Sequence, residues 1–84
     1  MNYHTLYDKG DALNSLGKYK EAVTYLDKAL AIDPKYEDAL YYKGRVLYDL
    51  GNYSGSITYL DRTLAINPDN KDALILKQIA QDKH

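Results

Sequence analysis

Apolar residues recur along this chain at intervals of three and four, and the recurrence breaks at regular places. Leu6, Gly10, Leu13 and Gly17 would share one face of a helix, as would Leu40, Gly44, Leu47 and Gly51; Val23, Leu26 and Leu30, then Ile57, Leu60 and Leu64, stripe two further segments. The breaks carry the chemistry of helix ends. Gly17 and Gly51 stand where a helix stops in the left-handed conformation that glycine adopts without a Cβ penalty. Asp33 and Asn67 precede Pro34 and Pro68, and a residue before proline is pushed out of the helical region. Asn52 is suited to cap the helix that follows it. A last apolar stretch starts near Asn70 and runs through Ala73, Leu74, Ile75, Leu76, Ile79 and Ala80 to a polar tail. The pattern predicts helices over about 3–16, 20–33, 37–50, 54–67 and 71–82, and no strand.

These segments are written twice. Residues 3–36 set against 37–70 match at Leu6/Leu40, Tyr7/Tyr41, Lys9/Lys43, Gly10/Gly44, Leu13/Leu47, Gly17/Gly51, Tyr25/Tyr59, Leu26/Leu60, Asp27/Asp61 and Pro34/Pro68, each pair 34 positions apart (68 − 34 = 34). Repetition at such a period is the mark of a structural unit that stacks on copies of itself. A glycine inside a helix is about 1 kcal/mol worse than alanine, so its return at Gly10 and Gly44 implies that a neighbouring helix passes too close for a Cβ. The domain organisation expected is one domain over 1–84, with repeat 1 at 3–36, repeat 2 at 37–70 and a capping helix at 71–84.

Composition narrows the work such a chain does. Eleven basic and twelve acidic residues leave a formal charge of −1, too little for nucleic acid or an anionic membrane to be held by charge. No cysteine is present, which excludes disulfides and thiolate chemistry and suits a cytoplasmic setting. The first residues carry no signal-peptide pattern, and the apolar runs are too short to span a bilayer. All ten aromatic residues are tyrosines, which cover apolar area yet keep a hydrogen-bonding tip and so suit half-wet surfaces.

The repeated residues resemble the tetratricopeptide repeat, a 34-residue helix pair. Leu6 and Leu40 stand where that family often has Trp, Gly10 and Gly44 at its packing glycine, and Leu13 and Leu47 at its usual Tyr. Ala22, Leu26, Ala29 and Pro34 match the second-helix signature. Ser56, Leu60, Thr63 and Pro68 follow it with Ser and Thr in place of the small Ala, and with Ser54 and Gly55 they make this helix the weakest of the five in propensity. The resemblance implies an all-α, right-handed superhelical solenoid of two antiparallel hairpins and a C-terminal capping helix, with the first helix of each pair lining a concave groove. Carried over, the groove positions are His4, Tyr7, Asp11, Asn14 and Ser15; Asp38, Tyr41, Arg45, Tyr48 and Asp49; and Asp72, Ile75 and Ile79. Independently of the family, Tyr41, Arg45 and Tyr48 fall at i, i+4 and i+7, on a face rotated away from Leu40, Gly44 and Leu47.

Tyrosine and arginine are enriched among binding hot spots, so this face suits an extended peptide or a partner helix. The same tyrosines would equally serve as half-buried packing between neighbouring helices. Where some members grip a C-terminal carboxylate with a clamp of Lys, Arg and Asn, this chain has Tyr7, Asp11, Tyr42, Asp72 and Leu76, with no cation to receive it. His4 and His84 have no ligand at metal-binding spacing, and Asn67, Asp69, Asn70 and Asp72 read as the acidic start of a helix. No nucleophile, phosphate loop or carboxylate pair stands out, so neither catalysis nor a cofactor is expected. A protein or peptide partner is expected in the groove. The alternative is homo-oligomerisation through the apolar surface of the last helix, at Ile75, Leu76, Ile79 and Ala80, since a terminal repeat should otherwise turn a polar face outward.

Overall fold

A computed structural model describes residues 2–84, and its five α-helices end within about one residue of the spans read from the periodicity. They are α1 (Tyr3–Ser15), α2 (Tyr19–Ile32), α3 (Glu37–Asp49), α4 (Tyr53–Ile66) and α5 (Lys71–Lys83), with no strand among the described residues. The ends follow from named groups. Asn2, Asn52 and Asn70 cap α1, α4 and α5 by accepting from the backbone N–H of Thr5, Gly55 and Ala73 at 2.9, 2.9 and 3.0 Å. Gly17 and Gly51 hold φ at +76° and +83° after α1 and α3, and Asp33 and Asn67 leave the helical region just before their prolines.

Each helix packs against its successor, and a second set of approaches curves the stack. Cα atoms of α1 come within 8 Å of those of α3, and those of α3 within 8 Å of α5, whereas α2 and α4 do not approach that closely. The layer of α1, α3 and α5 is therefore the inner one and α2 with α4 the outer one. Principal extents of 36 × 26 × 16 Å describe a slab two helices thick. The fold is an all-α helical repeat solenoid.

Within each hairpin the glycine decides the spacing. A Cβ on Gly10 would meet Leu26 Cγ at 2.9 Å and the Ala22 carbonyl oxygen at 3.3 Å; on Gly44 it would meet Leu60 Cγ at 2.9 Å and the Ser56 carbonyl oxygen at 3.3 Å. Leu26 and Leu60 are fully buried in these contacts, each worth about 1.5–3 kcal/mol of burial. The hydroxyls that replace alanine methyls in α4 are satisfied. Ser56 Oγ donates to the Gly44 carbonyl at 2.7 Å and Thr63 Oγ1 to the Tyr59 carbonyl at 2.8 Å, so two buried polar groups leave no desolvation penalty unanswered.

A polar ladder repeats alongside the core. Lys43 on α3 pairs with Asp27 of the preceding hairpin, and Lys77 on α5 with Asp61 at 2.6 Å, the same positions moved by 34. Each of Lys9 and Lys43 also lies over a tyrosine of its own hairpin, Tyr25 at 4.4 Å and Tyr59 at 4.2 Å. Glu37 at the start of α3 accepts from the side chains of Asn67 and Asn70 at 3.0 and 2.8 Å, tying the second hairpin to the turn that launches α5.

The last helix corrects part of the expected oligomerisation surface. Ala80 is fully buried and Leu76 half-buried, because both turn back onto the rest of the stack, while Leu74 is 48% exposed. Leu74 occupies the position of Leu6 and Leu40, which pack on the second helix of their own hairpins, and among the described residues α5 has no such partner helix. The exposed apolar set is thus Leu74, Ile75 and Ile79. At the position of Gly10 and Gly44 this helix carries Gln78, and at that of Leu13 and Leu47 it carries Gln81, both exposed. Part of its outer face is polar after all.

Candidate functional site, a tyrosine-lined inner face

Because the inner helices repeat every 34 residues, their side chains form rows across the slab. Tyr7, Tyr41 and Ile75 make one row; Asp11, Arg45 and Ile79 the next; Asn14 and Tyr48 stand in a third, and His4, Asp38 and Asp72 in a fourth. Tyr7, Asp11, Asn14, Tyr41 and Tyr48 are half-buried, whereas His4, Ser15, Asp38, Arg45, Asp49, Asp72, Ile75 and Ile79 are exposed.

The first two rows are joined by a residue outside the predicted set. Tyr42 stacks edge-on with Tyr7 (centroids 5.7 Å apart, 85° between planes) and with Tyr41 (6.4 Å, 89°), and its hydroxyl donates to Asp11 Oδ1. Sequence reading met Tyr42 only as a missing clamp position. Its place directly after Tyr41, on the side of α3 that turns toward α1, was the available signal. Behind it Asn14 Oδ1 is buried and accepts no hydrogen bond from a described group. Tyr36, the residue before α3, extends the aromatic run: it meets Tyr7 at 5.4 Å and Tyr3 at 5.0 Å, both edge-to-face.

Tyr48 does not join this run. It leans on Tyr53 at 5.4 Å, with the Lys83 ammonium 5.6 Å from its ring centroid, at the opposite end of α3. The inner face therefore has two aromatic groups, one around Tyr7 and Tyr42 and one around Tyr48, with Tyr41 and Arg45 between them.

The electrostatics differ along the face. Burial, then the carboxylates of Asp38 and Asp11, pushes the Tyr7 phenol well above its usual range; burial, then Asp38 and Asp8, raises that of Tyr36. Burial also raises Tyr41, but there the Arg45 cation pulls the other way. Burial and the hydrogen bond to Asp11 raise Tyr42. Negative potential thus gathers at the α1 end and a cation stands at the centre.

Two surface concavities lie off this face, one edged by Gly17, Tyr19 and Leu50 and one by Pro34, Leu40, Arg62 and Ile66. No helix of the described residues is long and apolar enough to cross a membrane.

A curved stack of helical hairpins with side chains displayed in rows is the architecture of a repeat scaffold. The family sequence model described as Tetratricopeptide repeat matches residues 13–80, which is 68 of the 84 positions (80 − 13 + 1 = 68), and the chain belongs to that family. Among curated proteins none is a significant sequence match. Solved structures share the fold closely. The second TPR of Spaghetti (RPAP3), bound to the HSP90 peptide SRMEEVD, superposes with a TM-score of 0.94 at 13% identity, covering 98% of this chain and 76% of that one. MamA protein gives 0.94 at 24% identity over 98% of this chain, and the MamA RS-1 ArsTM double mutant 0.90 at 36% identity over 96%. This chain spans about half the length of those two MamA chains, 45% and 46%.

Proposed function

We propose that this chain is a protein-binding module that holds an extended peptide or a partner helix across its inner face, without catalysis of its own. The observation that supports this most is the row structure: Tyr7, Tyr41 and Ile75, then Asp11, Arg45 and Ile79, lie on three adjacent helices, part exposed, on the side toward which the stack curves. Tyr48 and Asn14 border these rows, and Asp38 stands at their open edge. Tyrosines supply contact area at small entropic cost and arginine fixes orientation, which is the composition of an interaction surface. The peptide seen on the RPAP3 repeat lends general weight to a peptide partner. It does not lend its chemistry, because the positions Tyr7, Asp11, Tyr42, Asp72 and Leu76 offer a terminal carboxylate no cation.

The test is alanine substitution read against binding. Tyr41→Ala and Tyr48→Ala should each weaken a peptide selected on the wild-type chain by about tenfold, the scale of a hot-spot tyrosine, with helicity unchanged by circular dichroism. Affinity untouched by both would sink the reading.

A second reading has its own observation. Ile75 is 61% exposed, Leu74 48% and Ile79 39%, an apolar strip on one helix. In this reading two copies cover the strip mutually, as an isologous contact. Sedimentation equilibrium would then give a mass above the 9.6 kDa of one chain, lowered by Ile75→Asp with Ile79→Asp. A single-chain mass at high concentration would end it.

A further inference from the structure

Several tyrosines of this chain carry a cation of their own. Tyr25 has Lys9 at 4.4 Å and Lys28 at 4.8 Å from its ring centroid, Tyr59 has Lys43 at 4.2 Å and Arg62 at 4.9 Å, and Tyr48 has Lys83 at 5.6 Å. The group at the α1 end is different. Tyr3, Tyr7 and Tyr36 meet one another edge-to-face at 5.0 and 5.4 Å with the His4 ring 6.2 Å away, Tyr7 and Tyr36 also pack against the apolar core, and none has a Lys or Arg over it among the described residues. An edge-to-face pair uses the face of one ring, so the group still offers π-face to a cation.

The carboxylates around these rings are also uncommitted. Among the described residues, Asp8 has only the imidazole of His4, at 3.6 Å, Asp11 accepts from the neutral Tyr42 hydroxyl, and Asp38 has no ion-pair partner. The field of those same carboxylates adds to burial in raising the Tyr7 and Tyr36 phenols. Elsewhere in the fold, ring and carboxylate together enclose an ammonium: Lys43 sits between Tyr59 and Asp27. The α1 end repeats that combination of groups with no Lys or Arg between them among the described residues.

We propose that the α1 end of the inner face, walled by Tyr3, Tyr7 and Tyr36 and edged by Asp8, Asp11 and Asp38, receives a lysine or arginine side chain of the bound peptide. This rests on the groove reading above and gives it a direction. A basic residue anchors at α1, and the same peptide runs past Arg45 toward Ile75 and Ile79 on α5. An acidic chain terminus, by contrast, would meet like charge at the α1 end.

The experiment is selection of displayed random linear peptides on the full chain, followed by synthesis of the enriched sequences. Enriched peptides should share a Lys or Arg at one position. Replacing that residue by uncharged norleucine should weaken binding about tenfold. Asp38→Asn, an exposed substitution, should weaken the basic peptide several-fold yet leave the norleucine peptide unchanged, and added salt should weaken only the former. Enriched peptides that lose affinity with Tyr41→Ala but tolerate norleucine, or that carry acidic residues instead, overturn this inference and leave the groove reading standing. Peptides indifferent to Tyr41→Ala and Tyr48→Ala, or no enrichment at all, overturn both.

Discussion

The hairpins α1–α2 and α3–α4 hold their helices together through the same contact and display different surfaces. In both, the space above the central glycine is closed by a leucine at 2.9 Å and a carbonyl oxygen at 3.3 Å, although the residue behind that carbonyl is Ala22 in one and Ser56 in the other. On the inner side the matched positions diverge: Asp11 against Arg45, and Asn14 against Tyr48. The difference teaches where each half of the sequence is constrained. Interdigitation fixes the glycine and the leucine, because a packed interior has no slack of even a methyl group, while an outward-facing position is free to take whatever a partner requires.

The largest test of that equivalence is removal of the two leucines. Leu26→Ala and Leu60→Ala should each destabilise by about 2–5 kcal/mol, and by nearly equal amounts, since each leucine is fully buried on an outer-layer helix with neighbours on both sides. Urea unfolding followed by circular dichroism measures this. For 84 residues a total stability of about 4–13 kcal/mol is expected, so either change removes a large share. A gap between the two of more than about 1 kcal/mol, beyond ordinary scatter in such series, would show that the hairpins are not energetic copies.

Smaller effects come from the glycines. Gly10→Ala and Gly44→Ala insert a methyl where Leu Cγ and a backbone oxygen already stand. Overpacking costs about 1–3 kcal/mol and alanine returns about 1 kcal/mol of helix propensity, for a net loss of about 0–2 kcal/mol. Stabilisation of either variant would contradict the close approach. Gly17→Ala and Gly51→Ala test a different constraint. Nothing lies within 4 Å of the added methyl, but φ is +76° and +83°, so each should lose about 1 kcal/mol from backbone conformation alone. Gly17 and Gly51 should therefore agree with each other even if Gly10 and Gly44 do not.

What the sequence disclosed follows the same division. The repeat carried its own alignment, and with it the helix ends, the two packing glycines and the two C-terminal ones, because each depends on local backbone geometry or on a contact inside one hairpin. The contacts between hairpins were harder to read. Lys9/Lys43 and Asp27/Asp61 were both visible as matched pairs, but that Lys43 reaches back to Asp27 and Lys77 to Asp61 depends on how one hairpin sits on the next. Tyr42 and Tyr36 escaped for that reason too: their partners, Tyr7 and Asp11, are 29 to 35 positions away. On α5 the composition showed an apolar helix, yet which residues it buries turned on what it packs against, so Ala80 went inside and Leu74 stayed out.

The least of the expected effects lies at the start of the outer helices, where the hairpins differ in a single cap. Lys18 and Asn52 share nearly the same backbone conformation, φ −89° and ψ 66° against φ −87° and ψ 77°, but only Asn52 accepts from the helix, taking the Gly55 N–H at 2.9 Å. An asparagine cap is worth about 1 kcal/mol over residues that cannot accept, which is the loss expected for Asn52→Ala. Lys18→Asn should return less. A Cβ at position 55 would lie 2.7 Å from the Asn52 amide nitrogen. Asn2 and Asn70 cap Thr5 and Ala73, which carry a Cβ, but from more extended backbones, ψ 168° and 99° against 77°. At this ψ the cap therefore fits because glycine stands there, and the first hairpin has Glu21 at the matching position. A gain of no more than a few tenths of a kcal/mol is therefore expected for Lys18→Asn, read from the shift in urea midpoint. A gain equal to the whole cap would mean that Gly55 has no part in admitting Asn52, and that the second hairpin's departure from helix-favouring residues at its start has another cause.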